Sequence, residues 1–218
     1  MFRRILAIAF LIFTAKFAAA TTPIDEPWAL STNKDGIKVY TRHIADSKIK
    51  AIKVECTFNA TAAQLVAVLM DIKTCSEWVY HTKSATVIKE VSPSDIYYYS
   101  EVNIPWPVHN RDFVAHLKVT QDPKTKIVTI DAPVISNMIP AKDGIVRVEN
   151  STGRWVITPV DSSHVSIVYT LHLDPGGSVP AWLINMFAAQ GPTESFIGLK
   201  KQLTKPAYKD VKLDYIQN

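Results

Sequence analysis

Cysteine and glycine are both scarce in this chain, with two cysteines and seven glycines among 218 residues. Two cysteines allow at most one disulfide, which excludes the small disulfide-stabilised scaffolds. Cys56 falls on the apolar side of a predicted strand, which favours a buried free thiol over a bridge to Cys75. The GxSxG, HExxH and paired-cysteine patterns of hydrolases, zinc peptidases and zinc or redox sites are absent. We therefore expect no enzyme activity, no metal and no cofactor.

An excess of one charge is also missing. The sequence has 24 basic and 20 acidic residues, but Arg3, Arg4 and Lys16 all lie within the first 20 positions. The remainder therefore carries 21 basic against 20 acidic side chains, a net charge of +1. Nucleic-acid-binding proteins have a strongly basic surface, so nucleic acid is not an expected partner. We expect the domain to act as a monomer.

Residues 1–20 read MFRRILAIAFLIFTAKFAAA. A basic start, an apolar middle and a small-residue end are typical of a cleaved secretory signal peptide. The alternative is an uncleaved membrane anchor, but the apolar run is shorter than the roughly 20 residues that cross a bilayer. The prediction is export to the periplasm, the secretory lumen or the outside of the cell.

Most of the remaining chain alternates apolar and polar residues with a period of two, which is typical of strands with one buried face. In the segment around Val54, for example, Ile52, Cys56 and Phe58 share its side while Lys53 takes the other. Short turn-like separators favour antiparallel neighbours. About nine strands are predicted, at 37–42, 50–58, 84–91, 95–104, 111–120, 126–132, 144–150, 153–159 and 164–173.

Two regions follow a helical period instead. The first begins with a capping-box pattern from Thr61 to Gln64. The second lies near the C-terminus, where Ser178 and Pro180 suit a helix start and Gly191-Pro192 interrupts the helix. Its apolar stripe either covers the face of the sheet or closes a hollow, since methionine and aromatic side chains adapt to a flexible guest. The stripe comprises Trp182, Leu183, Met186, Phe187, Phe196, Leu199 and Leu203.

Three segments, in fixed order, resemble the StAR-related lipid transfer (START) domain family. They read IPWPVHNRDFV at 104–114, GIVRV at 144–148 and DPGGSVPAWLIN at 174–185. The first and third are most similar to the phosphatidylcholine-transfer branch. The resemblance covers nearly all of the chain after residue 25, and it implies one domain at 26–206 followed by a tail at 207–218.

Membership implies an α+β helix-grip fold of the START/Bet v 1 type, with a curved antiparallel sheet around a long C-terminal helix. It also implies a single lipid in an internal tunnel, phospholipid or sterol-like, and transfer between transiently contacted membranes. A sensor or scaffold that binds without transferring remains an alternative, as does a cyclase- or hydrolase-type enzyme of the same superfamily. The residues we expect to line the cavity are Arg111, Arg147, Tyr98, Trp155, Tyr169, Trp182, Met186 and Phe187, with Gly176, Gly177, Gly191 and Pro192 as gating positions.

Two departures from the family bear on the ligand. The acid–arginine pair of cholesterol-binding members is replaced by Tyr97-Tyr98-Tyr99 and Leu117, and the tyrosines that choline-binding members place before the DPGG turn are replaced by Tyr169-Thr170-Leu171. The resemblance therefore favours neither ligand. Arg111 and Arg147 each have two interpretations, an internal ion pair with a carboxylate such as Asp112 or a contact with a ligand phosphate. Trp106 is expected to pack at a corner between strands, with membrane or ligand contact as the alternative.

Overall fold

The structure, a computed structural model, describes residues 26–217 except 46, 48, 181, 182, 185–187 and 189. The predicted signal peptide at 1–20 lies outside the described residues, and so do Trp182, Met186 and Phe187 of the predicted cavity lining.

Ten strands form one sheet in the order β1-β2-β3-β10-β9-β7-β6-β5-β4, and β8 pairs with β6 beside this path. The predicted α+β helix-grip fold is confirmed, with one strand more than expected because β1 also pairs with β2. All pairs are antiparallel except the parallel pair of β6 with the three-residue β8. The strands are β1 Ala29–Lys34, β2 Ile37–Arg42, β3 Ala51–Asn59, β4 Thr82–Ser92, β5 Asp95–Val102, β6 Asn110–Gln121, β7 Val128–Pro133, β8 Ile145–Arg147, β9 Asn150–Pro159 and β10 His164–Asp174.

The first helical region contains α1 (Ala62–Met70), a 3-10 turn (Ile72–Thr74) and α2 (Cys75–Trp78). The predicted capping box is present: the Gln64 backbone N–H donates to the Thr61 hydroxyl at 3.2 Å, and the Thr61 N–H donates to the Gln64 side chain at 2.8 Å. These bonds satisfy two N–H groups that the first helical turn leaves without partners.

The C-terminal helix α3 spans Gly191–Gln202, with Pro192 in its first turn, where the missing N–H of proline is tolerated. It packs tightly on α2, because a Cβ added at Gly198 would lie only 2.7 Å from the Trp78 carbonyl oxygen. The Ser195 hydroxyl accepts a hydrogen bond from the Tyr80 N–H at 3.0 Å. These contacts hold α3 against α2, and Phe196 of α3 packs on the sheet at Phe58 of β3 and Trp155 of β9.

The segment after residue 206, predicted as a C-terminal tail, packs on the domain. Tyr208 and Ile216 are buried in the main apolar core. The Tyr208 hydroxyl donates to the Asp71 carboxylate at 2.8 Å, and the Gln217 N–H donates to the Gln121 side chain at 2.8 Å. The packed structure therefore continues to residue 217.

Candidate ligand-binding cavity

A large apolar cavity of about 570 Å³ lies between the concave face of the sheet, the α1–α2 region and the start of α3. The period-two alternation produces it, since every second residue of a strand points to the same face. The strand residues that line it are Ser31 from β1; Thr41 from β2; Ile52 from β3; Tyr98 and Val102 from β5; Arg111, Phe113, Ala115 and Leu117 from β6; Ile130 and Ala132 from β7; Ser151, Gly153 and Trp155 from β9; and Tyr169, Leu171 and Leu173 from β10. In each of β5, β6 and β10 the lining residues are separated by even numbers of positions, as expected for strands with one buried face.

Aromatic rings cover one wall of the cavity. Trp155 lies 4.3 Å from Tyr169 between ring centroids, and it stacks on Phe196 of α3 at 5.2 Å with an interplanar angle of 18°. Tyr98 meets Phe113 edge to face at 5.8 Å. Such pairs stabilise beyond the area they bury. The structure thus brings the predicted lining residues Tyr98, Trp155 and Tyr169 together around one cavity.

The hydroxyl groups of Tyr98 and Tyr169 are removed from bulk water. Burial raises the pKa of both hydroxyls far above the usual tyrosine value, because the phenolate form loses its hydration. Within the described part of the chain neither hydroxyl has a hydrogen-bond partner. The otherwise apolar wall therefore keeps two neutral polar groups.

Arg147 does not line this cavity. It forms a two-point ion pair with Asp112, Nε to Oδ1 at 2.7 Å and Nη2 to Oδ2 at 3.0 Å, and it also donates to the carbonyls of Ile139 and Pro140. Asp112 raises the pKa of the guanidinium by hydrogen bonding and by its charge. Of the two interpretations for Arg147, the geometry shows the internal ion pair. Its remaining side borders a smaller pocket of about 360 Å³ with residues 136–141 and Glu149.

Arg111 is buried, with 5% of its surface exposed, and it does line the large cavity. Its guanidinium donates to three backbone carbonyls, those of His109 at 2.5 Å, Pro175 at 3.4 Å and Gly176 at 3.4 Å. One of the two interpretations for Arg111 was an internal ion pair. No described carboxylate forms an ion pair with its guanidinium. Burial accordingly lowers the pKa of Arg111.

The predicted gating positions lie at two places around the cavity. Gly191 and Pro192 line it directly. Gly176 and Gly177 follow β10 and both have positive φ, 68° and 62°, a conformation that glycine adopts without strain. Of the described residues of the predicted C-terminal stripe, Leu183 and Phe196 line the cavity, whereas Leu199 and Leu203 do not. Ile184 and Ala188, outside the predicted stripe, line it as well.

The corner that connects β5 to β6 carries Trp106, and our expectation that it packs there is wrong. Its side chain is 91% exposed. Pro105 and Pro107 flank it, and the Asn110 side chain holds the base of the loop by accepting the Ile104 N–H at 3.0 Å. The loop leaves the sheet at the same end as Arg111, so the exposed ring lies at the end of the sheet where this arginine lines the cavity.

Several lining residues escaped the sequence analysis. Trp78 and Cys75 of α2 line the cavity, and so does Lys50, the residue immediately before β3. With four residues, α2 is too short for its sequence pattern to show which side faces the cavity. No pattern distinguishes Lys50 from other polar residues. Phe196, in contrast, belongs to the predicted C-terminal stripe, and Phe113 belongs to a predicted strand.

None of the helices in the described ranges combines the length and apolarity needed to span a bilayer. Within the same ranges, histidine, cysteine and acidic side chains do not gather in a cluster that could hold a metal ion. Both cysteines are buried free thiols.

A curved antiparallel sheet, a C-terminal helix and an apolar cavity between them together define the helix-grip class of ligand-binding domains. Comparison with known proteins is more specific. The family model described as "START domain" matches residues 15–207, and this chain belongs to that family. The match begins inside the predicted signal peptide.

Individual relatives agree with this assignment. The chain is 30% identical over 201 residues to an uncharacterized protein of Pseudomonas aeruginosa, covering 89% of this chain and 96% of that protein. It is 31% identical over 170 residues to the phosphatidylcholine transfer protein of Bos taurus, covering 75% of this chain and 78% of the relative. A STAR-related lipid transfer protein fragment from Xanthomonas axonopodis superposes with a TM-score of 0.76 at 29% identity, covering 83% of this chain and all of that one.

Proposed function

We propose that this protein binds one lipid in the 570 Å³ cavity and carries it between membranes. The observation that supports this proposal is the cavity itself, whose strand lining is mostly aliphatic and aromatic. Moving a methylene out of water contributes roughly 0.8 kcal/mol, so a chain of ~16 carbons gains about 13 kcal/mol. A bilayer offers the same gain, so a carrier needs an enclosed apolar space merely to compete with the membrane.

Release of the lipid requires the cavity to open. The proposed hinges are the loop after β10 and Gly191-Pro192. Gly176 approaches β8, where an added Cβ would lie 3.3 Å from the Val146 side chain, while a Cβ at Gly177 would meet nothing within 4 Å. Between this loop and Gly191, the described residues Val179, Leu183, Ile184 and Ala188 line the cavity. Beyond them, α3 packs on α2 through Gly198. We therefore place the movement before α3, with hinge positions absorbing the backbone change.

The membrane contact we propose is the corner carrying Trp106. Indole is large and apolar with one hydrogen-bond donor, which suits the boundary between head groups and acyl chains. An exposed tryptophan at the end of the sheet where Arg111 lines the cavity would place the lipid exit against the bilayer. Export through the predicted signal peptide is part of the same proposal, with action in the periplasm, the secretory lumen or outside the cell.

Solvent extraction of the purified protein followed by mass spectrometry tests the binding step. We expect a lipid to co-purify in stoichiometric amount. Ala132→Trp places an indole in the cavity, and it should lower the lipid content while leaving the far-ultraviolet circular dichroism unchanged. Ala85→Trp, on β4 outside the cavity lining, is the matched control. A vesicle-to-vesicle transfer assay then separates a carrier from a sensor that binds without transferring. An empty wild-type protein that takes up no added lipid would refute the proposal.

A further inference from the structure

The charges that face the cavity have one sign. Arg111 and Lys50 are its charged lining residues among those described, and no aspartate or glutamate lines it in the same set. The positively charged choline of a zwitterionic head group would lie near these two cations. No described carboxylate of the lining would balance the choline charge. The asymmetry therefore points to a negatively charged ligand.

Of the two cations, Arg111 gives the stronger evidence for an anionic ligand, because its charge is buried without a counter-ion among the described residues. A buried guanidinium is stable only when hydrogen bonded and, as a rule, neutralised by an acid. Arg147 follows that rule with Asp112, whereas Arg111 meets backbone carbonyls alone in the described chain. The guanidinium has five N–H donors, so two remain after these three contacts. Two donors on a planar group match the paired oxygens of a carboxylate or phosphate.

Lys50 lies at the same end of the cavity as Arg111. It immediately precedes β3, which runs antiparallel to β10, and the carbonyls that Arg111 contacts follow the end of β10 at Asp174. Lys50 is exposed, so it contributes a solvent-screened charge at the entrance rather than a buried contact. Together the two cations mark a polar end to an apolar space.

The volume limits how much lipid fits behind this polar end. A methylene occupies about as much space as a water molecule, roughly 30 Å³. A cavity of about 570 Å³ has room for about 19 such groups. This number is close to one chain of ~16 carbons with a small head group, and it is well below the ~32 carbons of two such chains.

We infer that the natural ligand is a single-chain lipid with one anionic head group, a carboxylate or a phosphate monoester, held by Arg111 with Lys50 at the entrance. This inference rests on the proposed lipid-binding function and specifies its ligand. The chain extends from Arg111 along β6 past Phe113, Ala115 and Leu117 toward the aromatic wall at Trp155. The head group supplies the counter-charge that Arg111 lacks.

Competition among lipids of equal chain length tests the charge and the chain number together. Delipidated protein is incubated with an equimolar mixture of palmitate, 1-palmitoyl lysophosphatidate, 1-palmitoyl lysophosphatidylcholine, hexadecanol and dipalmitoyl phosphatidylcholine, and the complexes are read by native mass spectrometry. We expect palmitate or lysophosphatidate to be retained at least tenfold over the other three. Whichever of the two dominates identifies the head group as a carboxylate or a phosphate.

Variants then locate the charge. Arg111→Gln should weaken binding of the preferred anion by tenfold to a hundredfold, because a charge-assisted hydrogen bond in a dry site is lost. Arg111→Lys should restore part of it. Lys50→Gln, at an exposed position where misfolding is not expected, should weaken binding a few-fold. Lys118→Gln, on β6 but pointing away from the cavity, is the matched control and should change nothing. Unchanged hexadecanol binding shows that the cavity of Arg111→Gln is intact.

The outcomes separate this inference from the function on which it rests. Preferential retention of lysophosphatidylcholine, hexadecanol or the two-chain lipid would overturn the anionic single-chain ligand while leaving lipid binding in place. Equal affinity of wild type, Arg111→Gln and Lys50→Gln for the retained anion would do the same. Failure of every lipid in the mixture to bind would remove the proposed function itself.

Discussion

Arg147 and Asp112 form a buried two-point ion pair that joins the short parallel strand β8 to β6. Their side chains are 11% and 1% exposed. The Asp112 carbonyl also accepts the Val148 N–H at 2.8 Å, so one residue secures β8 through its side chain and its backbone. This pair lies on the opposite face of β6 from Arg111, since adjacent residues of a strand point to opposite sides. Arg111 and Arg147, which both lie in largely apolar runs of the sequence, thus have different surroundings.

The first prediction concerns the stability contributed by this pair. Arg147→Met leaves the Asp112 carboxylate buried without its partner, and it should lower the free energy of unfolding by about 3 kcal/mol. Urea unfolding followed by circular dichroism measures the change. Arg154→Gln removes an ion pair with Asp131 that is more than half exposed, and it should cost less than about 1 kcal/mol. If both variants lose equally little, Asp112 does not depend on Arg147.

The sheet was largely predictable, because its faces are encoded locally. The period-two alternation predicted strands with one buried face, and in β6 the alternate residues from Arg111 to Leu117 line the cavity. β1 was missed because it lies at the sheet edge with mostly exposed residues, and an edge strand need not alternate. The parallel pairing of β8 was missed because its three residues carry no directional signal.

The site was less predictable than the fold, because it depends on distances between segments far apart in sequence. Arg111 and Arg147 are both arginines in largely buried runs, and only the three-dimensional arrangement shows that Asp112 neutralises Arg147 alone. Lys50 belongs to the cavity only because β3 and β10 are neighbours. The predicted contribution of Trp182, Met186 and Phe187 stays a prediction.

The second prediction is a loss of stability in alkali. Burial raises the pKa of the thiols of both Cys56 and Cys75 to about 12, from a model-peptide value of 9.0. Because the unfolded thiols lose their protons first, the stabilising effect is complete below about pH 9 and is lost as the pH rises toward 12. The free energy of unfolding should fall by about 2.7 kcal/mol per pH unit above this point.

Urea unfolding between pH 8 and 10 checks this slope. The double variant Cys56→Ala/Cys75→Ala is the control, and its stability should depend much less on pH in that interval. Identical slopes for the two proteins would show that the buried thiols are not responsible.

The third prediction concerns membrane contact. Trp106→Ala should reduce partition into phospholipid vesicles about tenfold, the effect of withdrawing part of one large ring from the bilayer interface. Vesicle co-sedimentation measures it. Val91→Ala is the matched control, because Val91 is 57% exposed but precedes the start of β5, at the opposite end of the sheet from the Trp106 loop. Lipid content after purification should be the same in both variants. If Trp106→Ala and Val91→Ala lose partition into vesicles equally, the contact with the membrane depends on the exposure of an apolar side chain and not on its position.

The last prediction concerns the hinge after β10. Gly177→Ala introduces no clash, since nothing lies within 4 Å of the added Cβ, but it strains a residue with φ of 62° by about 1 kcal/mol. Gly36→Ala has the same properties, with φ of 80° and open space around the Cβ, in the β1–β2 turn. Both variants should therefore lose similar stability. Only Gly177→Ala restricts the backbone freedom of the proposed opening, so it should slow vesicle-to-vesicle transfer several-fold at unchanged lipid content. Transfer rates that fall equally in the two variants would assign the effect to stability and rule out a hinge at Gly177.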